Sequence, residues 1–387
     1  MADDERLDGA AVDRQVSRFF ARRTGPGEPA VNYIGCRLPH PVSRAQIVAA
    51  VSAVMVQSPR LASVYDEGEW RALHEAPQAL AERMVTQNAE PWSELLRHAI
   101  DLRRVPAWRV VVGQERLLHL GFHHSLVDGV AMITVLGDVL NALGIQAPGD
   151  TVPPPNLAPT DLAWLRSESA HRTMLSQRVP PRAWPEQEMT FEHARMAAAE
   201  VKEIVTRLRL YVPRATANDL FMCALHRVIG EKTERDLIAI MSPLDLRGEV
   251  REPLRIGNQV TSAFIASERA HRKDDQALLQ HIVAQTQSAK QHRREVRMAE
   301  AASVRAHEAI APAAILAFLG EYPQSVIGHL ATEITGATMP SLLIECGSVC
   351  VNHSDAHLQL TRGTTWGELS VPILPRVLAI VRDYGRA

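Results

Sequence analysis

The chain has 387 residues, of which 46% are hydrophobic and 22% charged, so it can bury one large core or two separate ones. Its formal net charge of −2 gives no reason to expect a nucleic-acid partner or a charged membrane surface. The four cysteines lack the paired spacing of a zinc site and predict buried thiols in a reducing compartment.

The N-terminal segment Met1–Arg6 is acidic and polar, which is unlike a signal peptide. No apolar run of the chain approaches the roughly 20 residues that a membrane-spanning helix needs. We therefore expect no transmembrane segment and a cytoplasmic location.

The first part of the chain is predicted to mix helices with strands. A helical stretch falls around Val12–Arg23, and Ser43 can cap the next clear helix. Two strands over Trp108–Gly113 and Arg116–His123 predict a hairpin. An apolar helix over Val130–Leu143 follows the hairpin.

Proline marks the boundary between two parts of the chain. Five prolines fall between residues 148 and 159, a composition typical of a linker. We therefore predict an N-terminal subdomain over residues 1–147, a linker over 148–188 and a C-terminal subdomain over 189–387.

The second part again alternates helices and strands. Helices are predicted over Ala198–Leu208 and after Thr216, which opens a capping sequence. Near the C-terminus, strands over His357–Leu360 and Leu369–Ile373 precede a final helix over Leu374–Tyr384. This alternation predicts an α/β fold with two units of similar size.

Two adjacent histidines end the predicted hairpin, in the run His123-His124-Ser125-Leu126-Val127-Asp128-Gly129. Neighbouring side chains of a strand point to opposite faces, so only one of the two histidines can enter a given cavity. Imidazole titrates near neutral pH, which suits it to removing a proton from a hydroxyl or an amine. Asp128 could cap the following helix or hold the loop through an arginine.

Less specific interpretations compete with catalysis at these residues. A histidine at a strand end is more often structural, and a metal site on His124 and Asp128 lacks a third ligand, so we predict no metal. His353, Asp355 and His357 alternate along one possible strand and would share a face, but a metal site there would need a fourth ligand. A basic run over 290–297 could meet a carrier protein or a coenzyme A phosphate, although a solvated helix face explains it more simply.

The histidine run matches the His-His-x-x-x-Asp-Gly signature of the chloramphenicol acetyltransferase-like superfamily. That group includes nonribosomal condensation domains, polyketide-associated acyltransferases, wax ester synthases and plant BAHD acyltransferases. Further segments resemble it, namely Ile100–Arg109, Ala215–Leu220 and Pro243–Arg247 followed by Gly257-Asn258. The Asp-Phe-Gly-Trp-Gly segment of BAHD enzymes has no convincing counterpart, which argues against that branch.

The resemblance implies two chloramphenicol acetyltransferase-like α/β subdomains with a substrate tunnel between them. It also implies that His124 is the general base, while His123 supports the loop. Asp128 would hold the loop by pairing with Arg247, and Gly129 would permit close packing. Asn258 would lie near the tunnel as a substrate-binding residue, or would simply be a turn residue.

We therefore expect an acyltransferase of specialised metabolism that uses an acyl-coenzyme A or a phosphopantetheinyl carrier thioester as its donor. The acceptor would be a small-molecule alcohol or amine, a carrier protein is a candidate partner, and no bound cofactor is expected. One alternative is a wax ester or lipid O-acyltransferase. The other is a non-catalytic member of the superfamily that binds an acyl ligand or a partner.

Overall fold

A computed structural model describes residues 7–23, 31–89, 100–145, 190–248, 250–291, 314–321, 335–337, 348–353, 357–364 and 371–386. Its contacts divide the chain into two compact units. Both units contain helices and strands, which confirms the predicted α/β class. No helix among the described residues combines the length and the apolar character that crossing a membrane requires.

The two units do not follow the predicted boundaries along the chain. Residues 247–260 and the strand Thr335–Ala337 fall in the predicted C-terminal subdomain, yet they belong to the first unit. The reason is visible in the pairing of strands, because Gly336 lies opposite Ile34 in an antiparallel ladder. The predicted linker over 148–188 lies outside the described residues and stays a prediction, as does the tunnel.

The described strands of the first unit form one larger sheet and two small ones. Its strands are β1 (Leu7–Asp8), β2 (Val31–Arg37), β3 (Ser63–Asp66), β4 (Glu69–Ala72), β5 (Val85–Gln87), β6 (Trp108–Val112), β7 (Leu117–His123), β10 (Val250–Arg251) and β13 (Thr335–Ala337). The five-stranded sheet has the order β13-β2-β7-β6-β5, while β1 pairs with β10 and β3 with β4. Strands β6 and β7 are antiparallel, with Trp108 opposite Phe122, which confirms the predicted hairpin.

Among the described residues, four helices belong to the first unit: α1 (Gly9–Arg23), α2 (Arg44–Gln57), α3 (Pro77–Met84) and α4 (Gly129–Ala142). Helix α2 begins at a capping box, in which the Ser43 hydroxyl accepts the Gln46 N–H and the Gln46 side chain accepts the Ser43 N–H. Helix α4 follows directly from the loop after β7. The end of β7 and the start of α4 therefore fix both ends of the histidine run.

In the part of the second unit that the structure describes, there are a separate six-stranded sheet and four helices. The strands are β8 (Thr190–Ala197), β9 (Leu237–Asp245), β11 (Val260–Glu268), β12 (Ala314–Glu321), β14 (Ser348–His353) and β15 (His357–Thr364), in the order β11-β9-β12-β14-β15-β8. The helices are α5 (Ala198–Leu208), α6 (Ala217–Lys232), α7 (Asp275–Gln291) and α8 (Leu374–Tyr384). A separate apolar core is centred on α6, which is buried from Leu220 to Leu225.

One predicted strand, over Leu369–Ile373, is wrong in its described part. Residues 371–373 lead into α8 without joining a sheet. The Glu192 carboxylate accepts the N–H groups of Ile373 and Leu374, at 2.8 and 2.9 Å, and so satisfies the first free donors of that helix. An apolar run that looked extended is therefore a helix entry, fixed by a carboxylate about 180 residues earlier in the chain.

Candidate active site

Strand β7 carries His123 into the interior of the first unit. Its side chain is fully buried, and Nδ1 accepts the Ser125 backbone N–H at 3.1 Å and lies 2.7 Å from the Ser125 hydroxyl. Burial, together with the neighbouring His124, lowers the pKa of His123 to about 3. His123 is thus a neutral, enclosed ring, as expected of a residue that supports the loop.

His124 occupies a different environment from its neighbour. Its side chain is half-buried, and the ring of Phe20 stacks on it with centroids 3.7 Å apart and planes 9° from parallel. Nδ1 is buried, which leaves Nε2 as the nitrogen that can meet a substrate. Burial lowers the pKa of His124, and hydrogen bonding to the backbone, followed by the charge of the Asp128 carboxylate, only partly opposes this effect. The ring is therefore neutral near pH 7, as a general base must be.

Asp128 holds the far end of the loop in both of the ways that the sequence left open. One carboxylate oxygen accepts the Ala131 N–H at 3.0 Å and so caps α4. The two oxygens also receive the two Nη atoms of Arg247, each at 3.0 Å, and Oδ2 accepts the Gln259 N–H at 2.7 Å. The Asp128 side chain is only 3% exposed and that of Arg247 11%, so this ion pair lies inside the protein.

The segment around Gly257-Asn258 packs directly against the histidine loop. The Asn258 amide nitrogen donates to the backbone carbonyls of His124 and Ser125, both at 2.8 Å. The Gly257 carbonyl accepts the Asp128 N–H at 3.3 Å. Asn258 is fully buried, so its position favours holding the loop, and its predicted contact with substrate stays a prediction. The close packing expected at Gly129, the first residue of α4, is likewise a prediction.

Two further residues hold this arrangement without having been predicted. The Asp13 carboxylate, on α1, accepts the Asn258 backbone N–H at 2.6 Å and pairs with both Nη atoms of Arg60, at 2.6 and 2.9 Å. The Arg60 guanidinium lies 4.9 Å from the centre of the Trp70 ring. Burial raises the pKa of Asp13, and Arg60 opposes that shift. A second buried ion pair therefore stands behind the segment that carries Asn258.

One signal in the sequence could have pointed to Asp13. Asp13 and Ser17 are polar residues four apart on a helix, and both are buried where an apolar face would be expected. Burial of a carboxylate requires a partner, but the sequence does not say that the partner is Arg60. Among the described residues, no three His, Cys, Asp or Glu side chains gather as a metal site. Asp355 of the alternating His353, Asp355 and His357 lies outside them.

Gly257 has no room for a side chain next to the Asp13 carboxylate. A Cβ atom there would lie 2.8 Å from Asp13 Oδ1, which is fixed by Arg60 and by the Asn258 N–H. We expect Gly257→Ala to lower the free energy of unfolding by about 1–3 kcal/mol, because one of these hydrogen bonds must lengthen. Urea unfolding followed by circular dichroism measures the change. Gly144→Ala is not a suitable control, since Gly144 has a positive φ of 70°. An unchanged unfolding midpoint for Gly257→Ala would mean that Asp13 moves at no cost.

Solved structures share this fold across almost the whole chain, although no family model matches it and no curated protein matches it significantly. Polyketide synthase associated protein 5 from Mycobacterium tuberculosis is 15% identical with a TM-score of 0.65 and 96% coverage of both chains. Trichothecene 15-O-acetyltransferase from Fusarium sporotrichioides is 14% identical with a TM-score of 0.63, covering 98% of this chain and 94% of that one. The first condensation domain of the CDA synthetase is 13% identical with a TM-score of 0.62 and the same coverage. The chain therefore has the two-subdomain condensation-type fold that these solved structures share.

Proposed function

We propose that this chain is an acyltransferase in which His124 is the general base for moving an acyl group from a thioester to a small-molecule alcohol or amine. The observation that carries the proposal is the contrast between two adjacent histidines. His123 is fully enclosed and engaged by Ser125, whereas His124 is half-buried and neutral, with Nε2 as its available nitrogen. His123 therefore has a structural role, whereas His124 can accept a proton.

The reaction proceeds in one chemical sequence without a covalent acyl-enzyme. Nε2 of His124 removes the proton from the acceptor hydroxyl or amine as its oxygen or nitrogen attacks the thioester carbonyl carbon. The resulting tetrahedral oxyanion collapses, the C–S bond breaks, and the leaving thiolate takes the proton from the imidazolium. The products are an ester or amide and a free thiol. A backbone N–H near Gly129 is our candidate donor to the oxyanion.

The surroundings of His124 suit this proton transfer. While the ring carries the transferred proton, the carboxylate of Asp128 stabilises its positive charge. Because Asp128 is paired with Arg247 and capped onto α4, it stays in place as that charge appears and disappears. Asn258 fixes the His124 backbone carbonyl, so the strand end that carries the ring does not shift.

The donor in this proposal is an acyl-coenzyme A or an acyl group on the phosphopantetheine arm of a carrier protein. An O-acetyltransferase and condensation domains share the fold, which supports acyl transfer as the reaction. A carrier protein is accordingly the proposed partner, and specialised metabolism the proposed setting. The polyketide synthase associated protein among the similar structures supports the same setting.

The test is thiol release from a panel of acyl-coenzyme A and acyl-pantetheinyl carrier thioesters, with alcohol and amine acceptors, by the wild-type protein and His124→Ala. We expect acceptor-dependent release by the wild type only, with the ester or amide identified by mass spectrometry. A preference for long-chain donors and fatty alcohols would support the lipid O-acyltransferase instead. Tight binding of an acyl ligand without turnover would support the non-catalytic alternative. Equal slow release by both proteins would contradict the role of His124.

A further inference from the structure

One face of α1 is turned toward the histidine loop. Asp13, Val16 and Ser17 are buried, and Phe20 contacts the His124 ring. Their spacing of three, four and seven residues places all four on the same side of a helix. Two of the four are polar, which is unusual for a face that packs into a protein interior, so their contacts need an explanation.

Phe20 covers a whole face of the His124 imidazole. A centroid distance of 3.7 Å and an interplanar angle of 9° put the two rings in full contact. Such a contact removes water from that face and excludes ring orientations that would cross the plane of Phe20. The orientation of Nε2 therefore depends on a side chain that lies more than 100 residues earlier in the chain.

Asp13 acts on the same loop through Asn258. Its Oδ1 accepts the Asn258 backbone N–H at 2.6 Å, and the Asn258 amide donates to the carbonyls of His124 and Ser125 at 2.8 Å each. Arg60 holds the Asp13 carboxylate with two hydrogen bonds and also reaches the Ser17 hydroxyl, at 3.3 Å. An unbroken series of short polar contacts thus runs from α1 to the backbone of His124.

We propose that α1 positions the base: Phe20 fixes the plane of the His124 ring by stacking, and Asp13 fixes the loop beneath it through Asn258. The inference rests on the proposed function of His124 and deepens it. Both are positioning residues, since neither takes part in a chemical step. The first helix of the chain is in this view part of the active centre.

If Phe20 positions His124, its removal should lower kcat and leave KM nearly unchanged. Without the Phe20 ring, His124 gains further orientations and contact with water, so Nε2 faces the acceptor for a smaller share of the time. Misplacement of a catalytic group on this scale costs about 10- to 100-fold in kcat. Because burial is what lowers the pKa of His124, admitting water moves the acidic limb of the pH profile upward.

The experiment compares Phe20→Leu, Phe20→Tyr and Gln15→Ala by steady-state kinetics between about pH 5 and 9. Phe20→Leu removes the ring, Phe20→Tyr keeps it, and Gln15 is an exposed residue of the same helix. We expect Phe20→Leu to lose about 10- to 100-fold in kcat, with KM changed by less than about twofold. The acidic limb of its pH profile should move to higher pH. Phe20→Tyr and Gln15→Ala should keep the wild-type profile. Should Phe20→Leu fail to fold, Phe20→Met replaces it.

Side-chain ¹⁵N NMR of His124 provides a readout that needs no substrate. The His124 ring should titrate at the same pH in the wild type and in Phe20→Tyr, and at a higher pH in Phe20→Leu. Asp13→Asn should broaden or shift the His124 signal although Asp13 lies away from the ring. Asp8→Asn, at an exposed position just before α1, should not. A wild-type titration in Phe20→Leu and Asp13→Asn would overturn the inference.

The two proposals fail in different ways. If His124→Ala turns over substrate like the wild type, the proposed function fails whatever happens at Phe20. If turnover depends on His124 but Phe20→Leu and Asp13→Asn keep the wild-type kcat and pH profile, only the positioning role of α1 fails.

Discussion

Replacing His124 by alanine should lower kcat by about 10²- to 10⁴-fold, the range over which general-base catalysis contributes to enzymatic rates. The loss should fall on kcat because Nε2 accepts the acceptor's proton only as the new bond forms. Stability should change less than activity, since His124 is half-buried, although its stacking on Phe20 is lost. The measurement is acceptor-dependent thiol release with the best donor of the panel. His74→Ala makes the same chemical change at an exposed site and should keep full activity.

The pH dependence of the wild type follows from the same ring. The base must be unprotonated, so activity falls as the pH drops through its pKa. Since burial holds the pKa of His124 below the ordinary value of 6.5, the acidic limb of kcat/KM should have its midpoint below pH 6.5. A limb centred at or above that value would contradict the buried, neutral ring. A limb that persists unchanged in His124→Ala would assign the titration to another group.

The parts of this fold that could be predicted have local signals. Ser43 and Gln46 stand at the spacing of a capping box, and the box forms. Asp128 lies three residues before Ala131, so its cap on α4 could also be predicted. The hairpin of β6 and β7 needs only a turn between two apolar runs. In each case a few neighbouring residues determine the geometry.

The rest of the site depends on contacts that no local pattern carries. Asp13 and Asn258 lie 245 positions apart, and the pair of Asp128 with Arg247 spans 119. The second pair was found through a resemblance that fixes both residues. Asp13 belongs to no such motif, and its only local signal is that it lies four residues before Ser17 on the face of α1 where apolar residues are expected. Strand pairing was equally hidden for Thr335–Ala337, because three residues carry too little pattern to choose a neighbour.

Replacing Arg247 by methionine should lower the free energy of unfolding by on the order of 3 kcal/mol. The Asp128 carboxylate would keep the N–H groups of Ala131 and Gln259 but lose its only cation in the described contacts. A buried charge without its counterion is costly, since water cannot reach it. Arg255→Met is the matched control, because Arg255 pairs with Asp138 while 48% exposed. That change should cost less than about 1 kcal/mol in urea unfolding.

A second substitution separates the charge of Asp128 from its position. In the Asp128→Asn/Arg247→Met double variant the buried charge is gone, while a side-chain oxygen remains to cap α4. Part of the lost stability should therefore return, and the two changes should be non-additive. The kcat of the double variant should be lower than that of the wild type, because His124 would lack the carboxylate that stabilises its imidazolium. If instead the double variant is less stable than Arg247→Met, the hydrogen bonds of Asp128 matter more than its charge. If the double variant has the wild-type kcat, the charge of Asp128 is not used in catalysis, and the role of Asp128 at the site is to hold the loop.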